Sequence, residues 1–303
     1  MKQQSVIGID LGGTAIKLGR FLRDGTCVKS LTVATPQPST PKTVLKTIVK
    51  TVKQLKFHQS CNALGLGTPG PVDARGKIAK IAINLSGWQD VPFADWLETE
   101  IGLPTIIAND ANCAGLGETW LGAGKNFKDM ILLTLGTGVG GAIISDGHLF
   151  TGRLGSAGEL GLITLNFDGP PCNSGNQGSL EQYTSVQAIR RMTGKEPIEL
   201  GQLAAKGNQE ALKFWEDYGR LLGAGLANLI YILTPEAIVI GGGVSASTPY
   251  FFSTTFSEIK KRVLPNYREG LQLIRAKLGN QAGMIGAAKL AWDKVDELTN
   301  HSS

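Results

Sequence analysis

Two stretches of the chain, VIGIDLGGTAIKLG from Val6 to Gly19 and ILLTLGTGVGGAII from Ile131 to Ile144, share one construction. Each is an apolar run, a glycine turn carrying a small hydroxyl residue, and a second apolar run. Each then leads to a DG turn, Asp24-Gly25 in the first case and Asp146-Gly147 in the second. Short runs rich in Ile, Val and Leu and bounded by glycine read as buried strands, so each stretch predicts a strand, a tight turn and an antiparallel return strand. A repeated unit of this kind is a faint internal duplication, and it suggests two related halves. The 303 residues suffice for two domains of about 150 each.

The intervening sequence alternates in type. TPKTVLKTIVKTVKQLKF sets Val44, Leu45, Ile48, Val49, Val52 and Leu55 at helical spacing, with Lys42, Lys46, Lys50, Lys53 and Lys56 mostly on the other side. Such a row reads as a solvated helix face or as a dock for polyphosphate or another polyanion. ALGLGTPG is a buried strand ending in a Gly-Pro loop, and PTIIANDANCAGLGETWLGAG is a strand, a polar turn and a helix beginning near Asp110. A long helix runs from Asn208 to Leu233 and stops at Pro235, after which AIVIGGG is again a strand entering a glycine turn. LQLIRAKLGNQAGMIGAAKLAW closes the pattern with a strand, a turn and a C-terminal helix. The class is α/β with central mixed sheets.

Composition narrows the function. Hydrophobic residues at 42% and charged residues at 18% describe an ordered soluble chain. The net charge of +5 suits an anionic substrate and is too mild to imply nucleic acid. Cys27, Cys61, Cys113 and Cys172 have no repeated spacing, which gives no disulfide framework and favours a reducing compartment. MKQQSVIGID lacks a signal-peptide pattern, and no apolar run is long enough for a membrane span, so the expectation is a cytoplasmic protein without a membrane partner.

Four glycine loops follow apolar strands: Gly12-Gly13-Thr14, Gly67-Thr68-Pro69-Gly70, Gly136 to Gly141 with Thr137 and Gly138, and Gly241-Gly242-Gly243. Glycine lets backbone N–H groups approach phosphate oxygens, and a threonine hydroxyl adds a donor, although any single loop of this kind is also explained by turn geometry. The chain has no GxxxxGK[ST] and no GxGxxG opening a helix, which excludes a P-loop and gives a dinucleotide site poor support. Lys17, just past the first loop, is grouped with it as a cofactor-side cation. Asp10, at the end of the strand before that loop, is placed to hold hydrated Mg²⁺ beside phosphate, its structural alternative being a turn cap. Asp110, at a strand–helix junction, can orient a hydroxyl and accept its proton during phosphoryl transfer, its alternative being a helix N-cap.

In this order, DLGGTAIKLG, NLSGW, ANDAN, LGTGVGGAI, GELG and IVIGGGVS resemble the motifs of the ROK family of sugar kinases, repressors and related proteins, across nearly the whole chain. The resemblance implies the two-domain actin-like ATPase (ribonuclease H-like) fold. Residues 1–111 with 283–303 would form a small N-terminal domain completed by the C-terminal helix. Residues 112–282 would form a large domain with nucleotide and dimerisation elements. It implies phosphates on Gly12, Gly13, Thr14, Gly136, Thr137 and Gly138, and adenosine beside Gly241 and Gly242. Sugar would meet Asn84, Gly87, Asn109, Glu159 and Glu181, with Asp110 as catalytic base, in a cleft whose closure excludes water.

Among family branches the chain is most similar to glucokinases, implying ATP plus D-glucose going to ADP plus glucose 6-phosphate with Mg²⁺, in a homodimer without nucleic acid. Kinases of mannose, fructose or N-acetylglucosamine, and a polyphosphate-using glucokinase, are the alternatives. A repressor is disfavoured because the first strand begins almost at Met1, leaving no room for a helix-turn-helix, and a non-catalytic sugar-binding regulator is disfavoured by Asp10 and Asp110. The family pattern ExGH followed by CxCGxxGCxE binds structural zinc through its histidine and three cysteines. Here those positions are Leu162, Cys172, Ser174 and Ser179, so the expectation is no zinc. Pro170 and Pro171 would partly rigidify the loop, and the absent histidine removes a usual sugar contact.

Overall fold

A computed structural model describes residues 4–82 and 85–300. It divides into two compact units. One holds the described residues up to Lys125, Leu149–Ala157 and those from Asn280 on; the other holds Asn126–His148 and Gly158–Gly279.

In the first unit, β1 (Ser5–Leu11) and β2 (Ala15–Leu22) pair antiparallel across the Gly12–Thr14 turn, with Asp10 opposite Lys17. β3 (Cys27–Ala34) adds to β2 in the same sense. Helix α1 (Pro41–Gln54) starts at a Thr40 cap that accepts from the Thr43 N–H, and it buries Val44, Ile48, Val49 and Val52 on one face. The helix ends earlier than its apolar spacing predicts. Lys56 lies past the end with a left-handed φ of 55°, so it leaves the row formed by Lys42, Lys46, Lys50 and Lys53.

β4 (Leu64–Thr68), a small hairpin of β5 (Ala79–Ile81) and β6 (Gln89–Val91), α2 (Phe93–Ile101), β7 (Thr105–Asn109) and α3 (Asp110–Leu121) follow. The sheet order is β3-β2-β1-β4-β7, with β1, β4 and β7 parallel. The C-terminal helix (Ala282–Asn300) lies across β1 and β4 at backbone distance. A Cβ on Gly8 would sit 2.3 Å from the Met284 carbonyl oxygen, and one on Gly65 would sit 1.9 Å from that of Ala287.

The second unit repeats this plan. β8 (Met130–Leu135) and β9 (Val139–Ser145) form the hairpin, β10 (His148–Leu149) flanks it, and β11 (Ala237–Gly241) and β12 (Gln272–Arg275) run parallel to β8. The order β10-β9-β8-β11-β12 matches the first sheet, which is the duplication visible in the sequence. Helices α4 (Glu181–Thr184), α5 (Val186–Thr193), α6 (Pro197–Ala205), α7 (Gln209–Leu233) and α8 (Thr248–Arg262) surround it. α7 is capped by Asn208, and its Trp215 and Tyr218 pack on Phe251 of α8 in a fully buried aromatic cluster. Among the described residues no helix is long and apolar enough to cross a membrane.

Candidate active site

The strand–helix junction at the end of β7 gives the clearest chemistry. Asn109, not Asp110, is the N-cap of α3: its Oδ1 accepts from the N–H of Ala111 at 2.8 Å and of Asn112 at 3.3 Å. One of its amide hydrogens goes to the Gly70 carbonyl at 3.1 Å, which ties the cap to the Gly67–Gly70 loop. Asp110 is therefore the first helical residue and is spared the capping role considered for it. Its Oδ1 accepts from the Ala111 N–H at 2.8 Å.

Protein packed around this carboxylate pushes its pKa above the ordinary aspartate range, the Ala111 N–H pulls it back, and the negative charge of Asp10 raises it further. The net shift is upward. One turn along α3, Cys113 is fully buried, and burial first, then the charges of Asp10 and Asp110, raise its thiol well above the usual range. Cys113 is thus an inert packing residue. A Cβ on Gly67 would stand 3.2 Å from its Sγ, so the glycine loop and the first turn of α3 fit closely together.

Asp10 is held on the same unit. Lys17, its cross-strand partner, donates to Oδ2 at 3.0 Å and to the Asn280 carbonyl at 2.8 Å. Lys17 thus reaches the carboxylate grouped with it and also ties the hairpin to the turn before the C-terminal helix. Gly283, which carries no motif of its own, has no side chain and so lets that helix begin beside Asp10; a Cβ there would lie 3.0 Å from the carboxyl carbon. The signal was available in the small residues Ala282, Gly283, Gly286 and Ala287, which recur on one face of QAGMIGAA.

The glycines of the first loop behave unlike most others. A Cβ on Gly13 would meet nothing within 4 Å, and neither Gly12 nor Gly13 has a positive φ. Gly87 has a φ of 73° with open space around it, so there backbone conformation alone accounts for the glycine. Asn84 lies outside the described residues. Trp88 of the same NLSGW segment is buried, donates to the Ser39 carbonyl at 2.8 Å and packs on Phe93.

In the second unit, Gly136, Thr137 and Gly138 form the turn between β8 and β9, closed by the Gly136 N–H donating to the Gly138 carbonyl at 2.9 Å. Glu181 lies against this turn: its Oε2 accepts from the Val139 N–H at 2.9 Å, and a Cβ on Gly138 would come within 2.4 Å of the same oxygen. Glu159 is exposed at the start of a short turn, where its carbonyl accepts from the Leu162 N–H at 3.0 Å. Gly242 has a φ of 79° and stands against the Leu135 backbone, while Gly241 ends β11 in ordinary contact.

The zinc-motif positions do not fit a metal. Cys172 is buried, Ser174 Oγ lies 3.3 Å from its sulfur, Ser179 is fully buried, and Leu162 has no donor atom in its side chain. Burial pushes the Cys172 thiol up, but the Ser174 and Ser179 hydroxyls beside the sulfur more than offset this, and its pKa is lowered. Among the described residues no group of three or more His, Cys, Asp or Glu side chains is arranged to hold a metal ion.

The family model described as ROK family matches residues 6–294. A glucokinase of Halalkalibacterium halodurans is 35% identical over 316 residues, covering 96% of each chain. The crystal structure of a ROK hexokinase from Thermus thermophilus superposes with a TM-score of 0.86 at 33% identity, covering 97% of this chain and 99% of that one. A ROK family glucokinase from Streptomyces griseus, solved in complex with glucose and AMPPNP, gives a TM-score of 0.78 at 33% identity, covering 95% and 99%. The fold is that of the actin-like ATPases.

Proposed function

The chain belongs to the ROK family, and from that premise we propose that it is a glucokinase, transferring the γ-phosphoryl group of ATP to D-glucose and releasing ADP and glucose 6-phosphate. The relatives named glucokinase and the complex with glucose and an ATP analogue support this substrate pair. The observation that carries the reading is the junction at Asp110. There a carboxylate with a raised pKa stands at a helix start whose capping is done by its neighbour.

Asp110 is the base. It holds the 6-hydroxyl of glucose and takes its proton as the oxygen bonds to phosphorus, a step in which the alcohol becomes acidic only as that bond forms. Asn109 contributes its second amide hydrogen to a ring hydroxyl, and Asn84 and Gly87 form part of the sugar wall. Glu159 and Glu181 accept from further ring hydroxyls, where a charged acceptor fixes orientation more strongly than a neutral one. Backbone N–H groups of Gly12, Gly13, Thr14, Gly136, Thr137 and Gly138 face the phosphates, with Lys17 as a nearby cation. Gly241 and Gly242 receive the adenosine side.

Asp10 suits a hydrated Mg²⁺, because its Oδ2 is held by Lys17 while Oδ1 carries no hydrogen bond. When bound with ATP, the ion neutralises phosphate charge. The protein acts in the cytoplasm as a homodimer.

A second donor reading, inorganic polyphosphate, is supported by one observation. Lys42, Lys46 and Lys50 stand along one edge of a groove of about 640 Å³ floored by Leu45, Val49 and Trp96, and these lysines have no salt-bridge partner among the described residues. A coupled assay of the purified protein decides both readings. It tests glucose, mannose, fructose and N-acetylglucosamine, each with ATP and with polyphosphate. Glucose with Mg-ATP is expected to give the highest kcat/KM; a higher value for another sugar, or turnover with polyphosphate alone, overturns the corresponding half.

A further inference from the structure

The loop that lost its metal ligands is nevertheless tightly crosslinked, and the crosslink converges on one side chain. Asn176 Nδ2 donates to the Leu162 carbonyl at 2.9 Å and to Thr164 Oγ1 at 3.1 Å. Its Oδ1 accepts from the Gln177 N–H at 2.8 Å and from the Thr164 hydroxyl at 3.3 Å, and its carbonyl accepts from the Cys172 N–H at 2.8 Å. One amide thus joins the turn that follows Glu159 to the loop that precedes Glu181.

Around it the two segments run as a short ladder. Thr164 bridges Ser179, the Leu180 N–H donates to the Ile163 carbonyl at 2.9 Å, and the Leu165 N–H donates to the Gly178 carbonyl at 2.8 Å. Backbone at Gly178 admits no side chain, since a Cβ would lie 1.6 Å from the Asn166 carbonyl oxygen. Glu159 lies three residues before Leu162, and Glu181 lies two residues after Ser179. This ladder and the turn on Val139 tie their backbones to each other.

We infer that Asn176 is a positioning residue for sugar binding. Its amide does by hydrogen bonds what a coordinated metal would do with thiolate and imidazole at Leu162, Ser174 and Ser179, holding the Glu159 and Glu181 segments at a fixed separation. The link to sugar rests on the glucokinase reading; the clamp itself does not. The essential element is donation to the Leu162 carbonyl. An aspartate at 176 would keep the acceptor for Gln177 and Thr164 and lose that donor, placing two oxygens face to face.

The test compares Asn176→Ala and Asn176→Asp with the parent chain in two measurements. The first is hydrogen exchange of peptides spanning residues 160–183 in sugar-free protein; the second is KM for glucose, KM for ATP and kcat. Both variants are expected to exchange faster at the Leu165 and Leu180 amides. Both should raise KM for glucose by about 10- to 30-fold, as loss of one or two hydrogen bonds predicts, with a smaller rise in KM for ATP. A parent-like Asn176→Asp would mean that only volume matters at this position and would overturn the inference. So would faster exchange with KM for glucose unmoved, or the loss of the whole fold in both variants. A parent chain that does not phosphorylate glucose defeats the functional reading instead, and the exchange data then decide the clamp alone.

Discussion

The backbone N–H of Val139 donates to Oε2 of Glu181, so the carboxylate proposed to hold a sugar hydroxyl also anchors the strand leaving the Gly136–Gly138 turn. In the second unit the elements proposed to face sugar and phosphate therefore share one side chain. Glutamine at 181 can still accept from Val139 through its amide oxygen, whereas alanine leaves that N–H without its acceptor. Glu181→Gln should raise KM for glucose with KM for ATP nearly unchanged, and Glu181→Ala should raise both. The removed charge-assisted bond corresponds to about 10-fold or more in KM. Steady-state kinetics varying each substrate in turn checks this; equal effects of the two variants on ATP would detach Glu181 from the turn.

The division of labour at residues 109 and 110 gives a sharper mutational test than either position alone. Asp110→Asn keeps an oxygen for the Ala111 N–H and leaves the Asn109 cap in place, so the fold should survive. It cannot take a proton, and kcat should fall by about 10²–10⁴-fold. Asn109→Ala removes the cap and the bond to Gly70, and should cost about 1 kcal/mol of stability. Thermal unfolding and kcat measured on the same preparations separate the two. Near-normal kcat in folded Asp110→Asn would remove the base from the mechanism.

The raised pKa of Asp110, caused chiefly by surrounding protein and reinforced by Asp10, has a kinetic and a thermodynamic sign. A base must be ionised, so kcat/KM should fall on the acid side with a midpoint above the ordinary aspartate value of about 3.9. Because the folded state holds this proton more tightly than the unfolded state, the contribution of Asp110 to stability is complete below its unfolded pKa and is lost as pH rises through its folded pKa. At neutral pH, Asp110→Asn should therefore unfold at a temperature equal to or above that of the parent. A lower Tm at neutral pH, with the acid limb at or below the ordinary value, would contradict the shift.

Metal content follows from donor chemistry. A buried thiol, two hydroxyls and a leucine do not make a zinc site, because serine holds its proton at neutral pH and Leu162 offers no side-chain donor. Dialysed protein should contain far less than one zinc per chain by elemental analysis, and chelator treatment should leave Tm unchanged. Stoichiometric zinc that survives dialysis would refute this.

Much of the fold is legible in the sequence. The duplicated strand–glycine–strand unit foretold two related halves, because its apolar runs had to be buried and its glycines had to turn, while the shared strand order came only with the fold. The DLGG and NDAN segments offered candidate carboxylates, Asp10 and Asp110, because each stands where an apolar strand run ends. Three features were not legible. Whether Asn109 or Asp110 capped α3 depended on the backbone angle of one residue, and both types cap well. The hub at Asn176 depends on pairing between Thr164 and Ser179, which no local pattern encodes. The approach of the C-terminal helix to Asp10 at Gly283 joins residues at opposite ends of the chain.

Two glycines with opposite surroundings provide the last test. A Cβ on Gly286 would lie 1.5 Å from the Cys113 carbonyl oxygen, where the C-terminal helix crosses α3 backbone against backbone. Neither helix can yield without disturbing the packing beneath Asp110, so Gly286→Ala should cost about 3 kcal/mol or more and lower activity through loss of folded protein. Gly13 is the reverse case: nothing lies within 4 Å of its absent Cβ, and its φ is not positive. The ligand-free fold has no use for a glycine there, and a methyl group would project only into the space assigned to phosphate. Gly13→Ala should keep the parent Tm, or exceed it slightly through a less flexible unfolded chain, while KM for ATP rises by about 10-fold or more and KM for glucose stays close to the parent value. Differential scanning calorimetry with ATP and glucose titrations on both variants tests the pair. A Gly13→Ala enzyme with parent-like KM for ATP would show that the first glycine turn does not receive phosphate.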